Sequence, residues 1–175
     1  MTMGPGLRKL VLTSHVSVSV GWMGAVVGVM ALAIAVLVSE DPATVQGAYL
    51  LMAPIARWVL VPLAVASVLT GLIQSLGTRW GLFRHYWVVF KLLINVFASV
   101  ILVTYLETLD LMADMAAGPI ADLDALRTPS PLIHGVGALL LLLTATVLSV
   151  YKPQGATRYG RRAQERQRKS VGTGV

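Results

Sequence analysis

The sequence predicts an all-α protein: an integral membrane four-helix bundle with both termini cytoplasmic. Three observations carry that prediction. First, 56% of the 175 residues are hydrophobic and only 13% are charged, whereas a soluble domain carries about a quarter charged residues. A core of this size cannot bury so much apolar surface, so lipid must solvate much of it. Second, the apolar residues gather into four runs, each long enough to cross about 30 Å of hydrocarbon at about 1.5 Å per residue. Third, the charges segregate by loop. The N-terminus, the 76–85 turn with Lys91 and the tail after Tyr151 hold twelve of the fourteen Lys and Arg residues. The loops at 39–47 and 107–130 hold seven of the eight acids, with Arg57 and Arg127 the only bases on that side. Basic loops stay in the cytoplasm.

The first span, about 10–38, follows Arg8 and Lys9 and is too long for the apolar core of a cleavable signal. Glu40-Asp41-Pro42 closes it. The second span covers about 48–75. Between Leu76 and His85 comes a short turn in which Arg79, Arg84 and His85 stand among Trp80 and Phe83. Such aromatics lie at headgroup level and the bases lie against anionic inner-leaflet lipid. The third span, about 86–115, ends before Gly118-Pro119, with glycine as the helix cap. Ser130-Pro131 opens the fourth, about 131–151. Residues 1–152 thus form the bundle, and 153–175 form a basic, disordered cytoplasmic tail.

The absence of cysteine excludes disulfides and thiolate chemistry. A net charge of +6 follows from topology and does not indicate nucleic acid. The chain carries no nucleophile–base arrangement, phosphate loop or zinc-protease motif, so no catalytic residue is assigned.

Helical periodicity gives each span an inward face. Arg57, Ala64, Ser67, Gly71 and Gln74 share one side of the second span; Arg84, Lys91 and Asn95 share one side of the third. His134, Ala138, Ala145 and Ser149 fall together on the fourth. On the first, His15, Ser19 and Trp22 oppose a small-residue face of Ser17, Gly21, Gly24 and Gly28. Polar stripes avoid lipid, and small faces allow close helix approach, here to the bundle or to a second copy in a homodimer. Arg57 calls for a carboxylate at the outer end of the third span, with Glu107, Asp110 and Asp114 as candidates, or else it snorkels to the surface.

The chemistry-bearing residues are few. His15 and His85 fall near the cytoplasmic face and His134 near the outer one. Two histidines on different helices at matching depth suit a six-coordinate haem b, with Arg79 or Arg84 on the propionates. At the outer face His134 joins Asp110 and the thioethers of Met52, Met112 and Met115, a set suited to soft copper.

The pattern His15-x6-Trp22-x-Gly24, the pair Thr70-Gly71, the stretch Gly77-Thr78-Arg79-Trp80-Gly81 and then Lys91-Leu92 resemble the copper-resistance protein D (CopD) domain, over residues 13 to 95. The resemblance implies a bacterial plasma-membrane protein of copper or small-cation transport or homeostasis, with His15 as the matching metal residue. The family's full-length transporters have about twice as many spans, which this chain lacks. A small b-type cytochrome with haem between His15 and His85, and a ligand-free accessory subunit of a membrane complex, are the alternative expectations.

Overall fold

A computed structural model describes residues 3–77, 82, 85–118 and 123–151, with the separate positions 153, 155, 157 and 161. Arg79, Arg84 and nearly all of the tail lie outside the described residues. Every regular element described is helical: α1 (Pro5–Val38), α2 (Pro42–Ile55), a π-helical turn (Ala56–Leu60), α3 (Val61–Gly77), α4 (Tyr86–Ala117), the short α5 (Leu123–Leu126) and α6 (Ser130–Tyr151). Four helical rods are long and apolar enough to cross a membrane. They are α1, the continuous run from α2 through the π-turn to α3, α4, and the run ending in α6.

Local sequence accounts for the boundaries. Pro5 starts α1 from the extended Gly4, because proline at the first helical position loses no hydrogen bond. The Asp41 carboxylate accepts from the amides of Ala43 and Thr44 at 3.3 and 3.1 Å. That cap starts α2 at Pro42, six residues before the expected span. Gly118 ends α4, its N–H donating to the Met115 carbonyl. The π-turn falls between Pro54 and Pro62, neither of which has a backbone donor. The ladder resumes with the Val61 N–H donating to the Ala56 carbonyl, five residues back.

The rods pack as an up-down bundle. α1 lies against the α2–α3 rod and α6; α4 lies against the same two, which leaves α1 and α4 on a diagonal. At one end, which holds Glu40, Asp41, Glu107, Asp110 and Asp114, the interior is apolar. Trp22, Tyr49, Met52 and Leu126 are completely enclosed there. The Tyr49 hydroxyl donates to the Leu126 carbonyl at 2.6 Å, and Arg127 Nη2 donates to the Ser39 carbonyl at 2.9 Å. Toward the other end the interior changes character. Its buried residues there include His15, Ser67, Ser75 and Asn95, so polar groups replace the hydrophobic core.

Candidate functional site

At the polar end a cavity of about 630 Å³ lies between α1, α3 and α4, open to the surface beside the exposed Arg8, Leu12 and Val16, with Ser149 of α6 on its wall. Its polar lining comprises Arg8, His15, Ser67, Gln74, Ser75, Lys91 and Asn95, besides Ser149. The third- and fourth-residue spacing along each helix brings them to one side.

His15 is the centre of the site and is 4% exposed. Its Nδ1 lies 2.9 Å from Thr70 Oγ1, and its Nε2 lies 3.1 Å from Lys91 Nζ across the bundle diagonal. The donors and acceptors fix one another. A lysine ammonium only donates, so Nε2 accepts and the ring proton sits on Nδ1. Nδ1–H then donates to Thr70 Oγ1, whose own proton goes to the Ala66 carbonyl at 2.7 Å. Each proton has a taker, and His15 is a neutral imidazole held on both sides. One turn deeper the Ser19 and Ser67 hydroxyls meet at 3.2 Å. The Cε1 edge of the ring abuts Gly71, where an added Cβ would come within 3.1 Å of it. Glycine at that position is what admits an imidazole to the centre of the bundle.

The other candidates separate. His85 precedes α4 as its N-cap residue and does not line the cavity. His134 belongs to a second, apolar cavity of about 710 Å³ between α1, α4 and α6. There its ring stacks on Tyr105 with centroids 3.8 Å apart, and its Nδ1–H donates to the Ser130 carbonyl at 2.9 Å. The Tyr105 hydroxyl meets Ser130 Oγ at 2.8 Å. Met52 is enclosed in the core, Met112 borders it and Met115 is exposed; none of the three lines either cavity. Arg57 forms an ion pair with Asp110 of α4, so of its two expected placements the structure shows the paired one. Gly21, Gly24 and Gly28 are exposed, with open space around Gly24 and Gly28. Among the described residues no three His, Asp or Glu side chains are grouped as a metal site.

Thr70, the partner that fixes the imidazole, was visible in the sequence only as half of a Thr-Gly pair. Its hydroxyl sits one turn beyond Ser67 on the inward stripe, and that register was the available signal. No protein-family model, curated protein or solved structure matches the chain.

Proposed function

We propose that this chain is a polytopic protein of a bacterial plasma membrane, both termini in the cytoplasm, that binds a small ligand in the polar cavity as a transport or homeostasis protein. The observation supporting this is the convergence of His15, Thr70 and Lys91, from three helices, beside a cavity within otherwise apolar helices. A bundle that only spans the membrane gains nothing from such groups, since polar side chains at membrane depth are costly and usually functional. The charge pattern of the loops supports a cytoplasmic position for the cavity. The exposed Gly21, Gly24 and Gly28 face of α1 is where a second copy would pack.

Copper or haem at His15 would need Nε2, the nitrogen that faces the Lys91 ammonium at 3.1 Å. Because His85 does not line the cavity, the paired ligation a haem requires is not offered there. The geometry therefore favours a hydrogen-bonded ligand over a coordinated metal.

The native absence of cysteine gives a direct test. Ser67→Cys and Asn95→Cys variants, each carrying one thiol, should react with a charged, membrane-impermeant thiol reagent in inside-out vesicles and stay protected in right-side-out ones. Failure to react in either orientation would show a closed scaffold and end the proposal. Metal analysis and an absorption spectrum of the same purified protein provide the copper and haem arms.

A further inference from the structure

Lys91 stands out as a charge with no counterion among the described residues. No Asp or Glu occurs between positions 42 and 106, or anywhere before Glu40. The ion pair of Arg57 with Asp110 lies at the opposite end of the bundle. The hydrogen bond of Lys91 goes to His15 Nε2, a neutral acceptor by the proton assignment above. That uses one of three ammonium donors. Arg8, a second cation, lines the same cavity, again with no carboxylate in range among the described residues. Lys91 also lies in the second turn of α4, close to the helix terminus whose partial charge is positive. Two cations therefore face one cavity to which the described residues supply no anion. In a medium of low dielectric such a charge is stable only when paired.

The rest of the lining shows what kind of anion fits. Leu12, Val16, Val68, Val88 and Leu92 provide most of the wall, so a fully hydrated ion would leave that surface unsatisfied, whereas an acyl chain would cover it.

We propose that the cavity is an oxyanion site anchored on Lys91, and that its ligand is the headgroup of an anionic amphiphile. The oxyanion accepts from Lys91 Nζ and Arg8, and the chain lies along the apolar wall. Asn95 and Gln74, both on the lining, offer amide donors to the remaining oxygen lone pairs. This rests on the ligand-binding reading of the cavity and specifies the class of ligand.

The test uses the full chain in phosphatidylcholine nanodiscs with three probes: oleate, acetate and oleyl alcohol. Oleate should bind to wild type, and Lys91→Met should weaken it roughly tenfold or more, the usual loss for a hydrogen bond to a charged group. Lys91→Arg should keep most of the binding, which separates loss of charge from loss of fold. Acetate should neither bind nor displace oleate. Acetate binding as tightly as oleate would retain the oxyanion site but overturn the amphiphile. Oleyl alcohol binding as well as oleate, or equal oleate affinity in wild type and Lys91→Met, would overturn the proposal itself. Thiol labelling at position 95 distinguishes the two levels: a labelled cavity without oleate binding refutes only the ligand class, and an unlabelled one refutes the cavity reading beneath it.

Discussion

The Asp41 carboxylate accepts from the Thr44 hydroxyl at 2.7 Å as well as from two backbone amides. Those bonds, the hydroxyl's first among them, hold its pKa below the ordinary carboxylate value. A depressed folded-state pKa means that the cap stabilises the fold above about pH 4, the unfolded value, and that this contribution is lost as pH falls through the lower folded value. Hydrogen-exchange protection at the Ala43 and Thr44 amides should therefore be constant from neutrality to about pH 4 and decline below it. Asp41→Asn should keep the cap and remove the acid-dependent step. Arg57 and Asp110 offer a second test at this scale. Their side chains are 48% and 38% exposed, so a double-mutant cycle of Arg57→Ala and Asp110→Ala should give a coupling of about 1 kcal/mol or less, falling with added salt. A substantially larger value would mean that the pair is shielded from water in the native bilayer. Periodicity placed Arg57 toward the acidic end of the third span, because a cation at that depth needs a carboxylate. It could not choose among Glu107, Asp110 and Asp114, which differ by less than two turns of one helix.

Glycine has opposite effects at different crossings of the helices. At Gly135 of α6 an added Cβ would sit 2.5 Å from Met30 Cγ of α1, an atom that moves only if the Met30 side chain changes its first rotamer. Gly135→Ala should destabilise the bundle by about 1–3 kcal/mol, the usual cost of overpacking. Gly24→Ala meets nothing within 4 Å and should stabilise the isolated chain by up to about 1 kcal/mol through helix propensity. Thermal unfolding of the detergent-solubilised variants checks both signs. On the dimer reading, the bulkier Gly24→Leu should also dissociate any cross-linkable pair. The elements themselves were readable in advance: four apolar runs became four rods, and Gly118 ends α4 as its sequence suggests. The hidden parts were those set by missing or distant partners. The early start of α2 depends on the Asp41 cap, and the π-turn depends on two absent proline donors. Neither leaves a mark in hydropathy.

For the whole molecule, the unequal division of charge leads to the boldest expectation. Single cysteines replacing Gly4 and Thr173 should be labelled only from the cytoplasmic side, and one replacing Glu40 only from outside. Labelling of Gly4 and Glu40 from the same face would refute the four-span arrangement. Of the inward stripes, read at about 100° per residue, Ser67, Gly71 and Gln74 and, separately, Lys91 and Asn95 line one cavity, whereas Arg57, read onto the same face as Ser67, is half exposed and lies off it, because the π-turn breaks the register between them. The bond between His15 and Lys91 was beyond reach, because a helical wheel describes one rod at a time and this contact joins rods on a diagonal.

The π-turn leaves the second rod mechanically uneven. Pro54 and Pro62 cannot tie back to the preceding turn, so two rungs of the ladder are missing at the joint between the two halves of the rod. Tyr49 holds the half before the joint, and Arg57 at the joint pairs with Asp110. The half after it carries Ser67, Thr70 and Gly71. Bending at the joint would swing that whole wall of the chamber as one piece, with the imidazole following its threonine, while the far end of the molecule stays still.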